Sequence, residues 1–299
     1  MANLRDVRLR MRAIQQTLQV TKAMNLISTA KLRKGRRILE DTEPYFNRIQ
    51  KSMFDILSGA KMERSKFLTG AEAKSSSGSN TSRTAIVAIT SDKGLAGGYN
   101  ANVFRQVNQL CANLKNPVLI LIGAIGYRYF IHSPWLILEN FSFRSRLPDM
   151  DDAEEIAEYI VSQYLWGMFD EVHVVYTHMY SSIKLLPRER QLLPLNEEKM
   201  QEEFEQSGGK RVELQFEYLP SRAEVFERLV PMYVKGSIYG SLVEAYVSEQ
   251  SARMSAMDEA SKSAEDMLAN LQIYYNRVRQ ASITQEMTEI IGGAAALND

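Results

Sequence analysis

One stretch of the chain has residue types that could cradle an anion. It reads Ser91, Asp92, Lys93, Gly94, Leu95, Ala96, Gly97, Gly98, Tyr99, Asn100, and it follows an apolar run and precedes a helical pattern. Helix amino ends present free N–H groups to phosphates, so the position suits a phosphate loop. The spacing does not: a P-loop needs Lys and then Ser or Thr directly after its last glycine, and a dinucleotide fingerprint needs glycines at its first, third and sixth places. Here the glycines stand at 94, 97 and 98, and the turn is read as structural. The three histidines are His132, His173 and His178, and the last two lie five apart on a strand-like run, on opposite faces, which spoils them as a metal pair. Cys111 is the only cysteine; it can form no internal disulfide and sits in a helical pattern that favours burial. Asp149, Asp151, Asp152, Glu154 and Glu155 crowd the start of another helical pattern, where they complement its dipole. None of these groups makes a catalytic set, and no cofactor or metal site is expected.

Net charge is zero over 299 residues, yet the charges are not spread evenly. Residues 1–37 carry Arg5, Arg8, Arg10, Arg12, Lys22, Lys31, Arg33, Lys34, Arg36 and Arg37 against Asp6 alone. Such density implies an acidic partner: nucleic acid, anionic lipid or an acidic protein surface. A coiled-coil adaptor gripping nucleic acid is the alternative reading, but nothing aromatic is interleaved with these residues to read bases. No apolar run follows the basic amino terminus as an export signal would require, and no stretch is long and apolar enough to span a bilayer, so the chain is expected to stay in the cytosol.

Three regions position these residues. Residues 1–59 read as one long helix, with Leu4, Val7, Met11, Ile14 and Leu18 stepping by three and four, and with a break or bend expected near Pro44. Residues 221–299 read as a second, longer helix whose seam is Ala260, Ala264, Met267, Leu271, Tyr274, Val278 and Ala281. A lone amphipathic helix leaves its stripe in water, so the two are expected to pair, antiparallel, as a left-handed coiled coil. At 1.5 Å per residue they span about 84 Å and about 112 Å, so the last turns of the second should project alone. That end, Ile283, Met287, Ile290, Ile291 and then Gly292 to Leu297, is poor in charge after Glu289, which points to an enclosing partner.

Residues 60–220 lie between, with 74–82 a serine-rich linker. Apolar runs at 85–90, 118–122 and 172–176 read as strands buried on both faces. Helical patterns at Val103, Val107, Leu110, Leu114 and at Ile156, Ile160, Tyr164, Leu165 alternate with them. The fold class is therefore α/β plus coiled coil: an antiparallel two-helix coiled coil with an inserted, mostly parallel, Rossmann-like domain.

The run Ile283, Thr284, Gln285, Glu286, Met287, Thr288, Glu289, Ile290, Ile291, Gly292, Gly293, Ala294 resembles the signature of the gamma subunits of F-type ATP synthases. Thr21, Lys22, Ala23, Met24 with Ala30, Lys31, Leu32, Arg33 is similar to the family's amino-terminal motif, and the turn at 94–100 and the segments 191–195 and 248–257 match in order. The resemblance covers nearly the whole chain. It implies a non-catalytic rotor shaft turning inside a ring of three alpha and three beta subunits around one gamma, gripping the epsilon subunit and the membrane c-ring, at the cytoplasmic face of a bacterial cell membrane. By motif position it implies that Lys22 and Met24 meet an acidic beta-subunit loop, and that Arg253, Arg279, Gln280, Thr284 and Glu286 meet the surrounding ring. It makes Ile290, Ile291, Ala294 and Leu297 the apical bearing. Plant-type members carry an insert with a cysteine pair; with Cys111 alone, this chain resembles the bacterial type.

Overall fold

The computed structural model describes residues 4–57, 65–68, 83–143, 146–181, 184–196 and 218–296. The elements are α1 (Leu4–Leu57), β1 (Thr84–Ile89), α2 (Tyr99–Asn113), β2 (Pro117–Ile122), α3 (Ala124–Phe130), β3 (Leu136–Phe141), α4 (Met150–Leu165), β4 (Glu171–Met179), β5 (Leu185–Leu193) and α5 (Arg222–Ala296). They make two compact units, one of residues 1–29 with 253–299 and one of residues 30–252, so each long helix contributes to both. The 74–82 segment falls outside the described residues.

In the larger unit the sheet order is β3-β2-β1-β4-β5. β1 pairs in parallel with β2 and β4, β2 with β3, and β5 closes the edge antiparallel to β4. The three apolar runs read from the sequence are the central strands; every residue of β1 and β2 is buried, as strands covered on both faces must be. Both edge strands and the short α3 escaped the sequence reading. β5 has Arg188, Glu189, Arg190 and Pro187 in its run, and proline is tolerated in a sheet chiefly at such an edge. One face of the sheet packs Ile86, Ala88, Leu119, Leu121 and Val175 against Val103, Val107 and Cys111 of α2 and Phe130 of α3. Burial there pushes the Cys111 thiol up to about 12, leaving it protonated and inert.

α1 passes through Pro44 as one helix, so of the expected break or bend the break does not occur. The missing N–H forfeits one hydrogen bond. Ile49, Met53, Phe54 and Ile56 beyond it are buried, and their packing holds the helix together on the far side. α5 likewise runs through Pro231.

Between β4 and α5 lies a polar layer. Ser248 Oγ donates to the Thr177 carbonyl at 2.8 Å, and the His178 ring meets the Glu244 carboxylate. Burial raises the Glu244 pKa above the ordinary range, with His178, Tyr176 and Arg188 opposing the rise. A carboxyl raised in this way binds its proton more tightly in the folded chain, so its favourable contribution is complete below the usual carboxyl range and is lost as pH climbs through the raised value. Glu244→Gln mimics the protonated form. Its stability relative to the parent chain should therefore increase as pH rises above the usual carboxyl range, in paired urea titrations.

At the end of β2, Gly123 takes φ 99 where the chain crosses under β1, and a Cβ there would stand 2.3 Å from the Thr90 carbonyl oxygen. Both the backbone region and the contact exclude a side chain. Gly123→Ala should cost about 3 kcal/mol in chemical denaturation, from strain plus displacement of the β1 backbone.

Candidate partner interface on the paired terminal helices

The smaller unit is built by a seam. On α1, Leu4, Val7, Met11, Ile14 and Leu18 face inward as their spacing implies, and the stripe continues through buried Thr21 and Ser28, with Asn25 between them. Cross-helix contacts set the direction: Arg8 Nη2 donates to Tyr275 Oη at 2.7 Å, Thr21 meets Ser261, and Asn25 Nδ2 donates to the Met254 carbonyl at 3.1 Å. Numbers rise on α1 as they fall on α5, so the pair is antiparallel.

On α5 the inward positions are Met257, Ser261, Ala264, Leu268, Leu271, Tyr275 and Val278. This corrects the register read from the sequence. Ala264, Leu271 and Val278 are common to both, but Met267 is 52% and Tyr274 43% exposed, while their neighbours Leu268 and Tyr275 turn inward. From Ala264 a heptad stripe can run by three then four or by four then three, and apolar neighbours at 267/268 and 274/275 satisfy both. Only the position of α1 decides between them.

Midway along, the seam turns small and polar. Thr21 Oγ1 donates to the Leu18 carbonyl at 3.0 Å, and Ser261 Oγ lies 2.8 Å from both Thr21 Oγ1 and the Met257 carbonyl oxygen. These hydroxyls are buried and satisfied, as an interior position demands.

The sequence-derived candidates separate into two groups. Lys22, Met24 and Arg253 lie at one level, since Asn25 bonds Met254 directly across the pair. Lys22 forms an ion pair with Glu265 at 2.6 Å, with both side chains about half exposed, while Met24 is half-buried and Arg253 is only 7% exposed. Burial of Arg253 ties it to this chain's own packing. The second group, Arg279, Gln280, Thr284 and Glu286, is fully on the surface, roughly 39 Å along α5 from Arg253 at the helical rise. There Thr284 Oγ1 donates to the Gln280 carbonyl at 2.9 Å and Ser282 Oγ to Glu286 at 3.3 Å.

Arg8 is level with Tyr275, so Leu4, one turn earlier, comes level with Arg279, and the rest of α5 passes beyond the described part of α1. Its apolar residues are uncovered: Ile283 is 49%, Met287 57%, Ile290 71% and Ile291 65% exposed. Ala294 belongs to the helix, and Leu297 falls outside the described residues. Spacings of four (283 to 287 and 287 to 291) and three (287 to 290) place the other four on one face. Exposure along α1 was not legible from the seam pattern: Leu9, Val20, Leu26 and Ile27 are each more than half exposed, which gives the pair a second, outward apolar surface.

The glycine-rich turn is closed on itself. Ser91 N donates to Asn100 Oδ1 at 3.0 Å and Asn100 Nδ2 to Ser91 Oγ at 2.7 Å, while Asp92 Oδ1 accepts from Ala124 N at 2.9 Å. A carboxylate of the turn thus caps the short α3, while α2, the helix the turn leads into, starts at Gly98 with no side-chain cap. Leu242, Ala245, Tyr246 and Glu249 of α5 stand beside the carboxyl ends of β1 and β2, leaving a void of about 40 Å³, far too small for a nucleotide. His173 meets Glu189 at 2.8 Å while His178 meets Glu244, so the two histidines serve different faces of β4. Asp149 caps α4 in a reciprocal box with Asp152, as its position at the helix start implies. No group of three or more His, Cys, Asp or Glu is arranged to hold a metal among the described residues.

A family model described as ATP synthase matches residues 3–297. The ATP synthase gamma chain of Ruminiclostridium cellulolyticum is 41% identical over 296 residues, covering 99% of each chain. The chain belongs to the ATP synthase gamma-chain family. As a gamma chain it is a non-catalytic subunit of a larger enzyme. The sodium-ion-specific gamma chain of Acetobacterium woodii is 36% identical, with 99% of each chain covered. Among solved structures, a chain of the Euglena gracilis mitochondrial ATP synthase (OSCP/F1/c-ring, rotational state 3) matches with a TM-score of 0.65 over 98% of this chain and 94% of that one, at 17% identity. A chain of the Tetrahymena thermophila central stalk and c-ring matches at a TM-score of 0.58 and 22% identity, covering 81% and 99%. Those two likenesses bear on the fold, and they match the gamma-chain architecture of paired terminal helices and inserted sheet.

The seam and the surface should respond differently to substitution. Lys22→Ala removes an exposed ion pair and should change the urea midpoint by less than about 0.5 kcal/mol equivalent. Ser261→Ala removes a buried hydrogen-bonding hydroxyl and should cost about 1 kcal/mol in the same titration.

Proposed function

We propose that this chain is the central rotor shaft of an F-type ATP synthase, coupling ion flow through a membrane sector to ATP synthesis or hydrolysis in a surrounding ring of three alpha and three beta subunits. The observation that carries the proposal is the last part of α5. Four large apolar residues on one face lie open to water along a helix end that the described part of α1 does not reach. Uncovered apolar surface of this kind marks a binding site, and a helix end becomes a bearing when a ring of other subunits encloses it. Ile290, Ile291, Ala294 and Leu297 are assigned to that bearing.

Below it, Arg279, Gln280, Thr284 and Glu286 offer polar groups to the ring wall. Lys22 and Met24 make the second contact level, where Lys22 exchanges Glu265 for an acidic loop of a beta subunit, and Arg253, buried at that level, supports it from within the pair. The exposed Arg5, Arg10, Arg12, Arg33, Lys34 and Arg37 give α1 a positive surface that favours acidic walls. The sheet-containing unit is assigned to the epsilon subunit and the c-ring. Among the described residues no helix is long and apolar enough to cross a membrane, and attachment through those partners would hold the chain at the cytoplasmic face of a bacterial membrane.

Co-expression with alpha and beta subunits tests the role. A stoichiometric complex whose ATPase activity requires this chain is the expected outcome; subunits that purify separately would remove the proposal. Within such a complex, Lys22→Glu and Met24→Glu should leave assembly intact and lower ATP-driven ion pumping relative to ATP hydrolysis by several-fold, read as vesicle acidification or sodium uptake. Pumping equal to the parent in both variants would overturn the assignment of that contact level.

A further inference from the structure

Helix α4 carries two apolar faces. Ile156, Ile160 and Tyr164 are buried on the inner face. Ala157, Val161 and Leu165 recur at four-residue spacing on a second face that looks into a cleft of about 600 Å³, closed on its other sides by Tyr45 and Phe46 of α1 and by Met232 and Gly236 of α5. The cleft lies within the sheet-containing unit, and its size falls within the range of small-molecule sites.

Its walls are held apart by built features. Gly236 has no side chain where a Cβ would stand 2.5 Å from Phe46 Cδ1, so the Phe46 ring lies directly on α5 instead of swinging across the opening. Tyr45 packs edge-on to Phe46 with ring centroids 5.4 Å apart and remains 49% exposed, offering an aromatic ring at the mouth. Met232 at 46% and Leu165 at 41% exposure complete an apolar lining that water wets in the free chain. Methionines and aromatic rings make an adaptable lining for apolar ligands.

The rim selects charge. Lys235 of α5 reaches Glu154 of α4 at 2.8 Å, neutralising one carboxylate, and Glu158 stands one turn further along α4 in the same lining. Two carboxylates against one ammonium leave the mouth with one net negative charge beside an aromatic ring, a pairing that favours a cation through both charge and the ring's negative face.

We propose that this cleft is a binding site for a small apolar monocation, an aromatic or aliphatic body carrying one positive head, with the body between α4 and Phe46 and the head between Glu158 and Tyr45. A molecule seated there touches α1, α4 and α5 together, so it stabilises their packing and raises the unfolding temperature of the chain.

The test uses the full-length chain with methyl-labelled methionines and two probes of similar size, tetraphenylphosphonium and neutral triphenylphosphine oxide. Saturable shifts of the Met150 and Met232 methyl signals with tetraphenylphosphonium, weaker binding of the neutral probe, and an increase in Tm with the cation are expected. Glu158→Gln should weaken the cation about fivefold, the ratio given by roughly 1 kcal/mol for one partly exposed charge contact, and leave the neutral probe unchanged. Val161→Trp fills the cleft and should abolish both; since that variant can unfold, Leu165→Glu at the exposed rim is the second variant, and it should weaken the neutral probe. The proposal is overturned if neither methyl shifts, if both probes bind equally, or if Glu158→Gln leaves the affinity of the cation unaltered.

Discussion

Neither long helix can hide its apolar stripe by itself, and everything else in the chain is arranged around that fact. An isolated helix gains one hydrogen bond per residue ordered but leaves a hydrophobic row in water, so it is stable only when a second row covers it. Here the covering row comes from the other end of the same chain. Contacts such as Arg8 to Tyr275 and Asn25 to Met254 join residues more than two hundred positions apart. The loop they close must therefore be a folded unit in its own right, and a parallel sheet with its own apolar centre meets that requirement.

The sheet unit has a topology that in other proteins leaves a crevice at the carboxyl ends of its strands. In this chain α5 stands beside that crevice, Asp92 satisfies the N–H of Ala124, and Asn100 ties the glycine turn shut. The same geometry that makes such sheets useful for nucleotides becomes a seat for a helix. An element fixed there through Tyr246 and Glu249, and through Ser248 to the Thr177 carbonyl, has the sheet as its base.

Polar groups in the helix seam are paired. Thr21 and Ser261 satisfy each other or a carbonyl one turn back. In a low-dielectric interior an unsatisfied group is costly, whereas a satisfied one holds a single register, because a slip of one residue would separate the partners. The outer face behaves in the opposite way: Leu26, Ile27, Ile290 and Ile291 remain in water within the chain and acquire meaning only from a partner.

Periodicity and apolar runs sufficed to determine the two long helices, their antiparallel pairing and the three central strands, because these depend on local spacing and on burial from both sides. The motif resemblance led directly to the family. Tertiary structure alone decided the rest. It chose Leu268 and Tyr275 over Met267 and Tyr274, since adjacent apolar residues satisfy two heptad registers and only the partner's position separates them. It carried α1 through Pro44, where packing beyond the proline outweighs one lost hydrogen bond. It made edge strands of the charged β5 and the partly exposed β3, whose residues bury on one side at most and so lack the continuous apolar signal. It also buried Arg253 while leaving Arg279 in water, a difference set by which stretch of α5 has a neighbour to cover it.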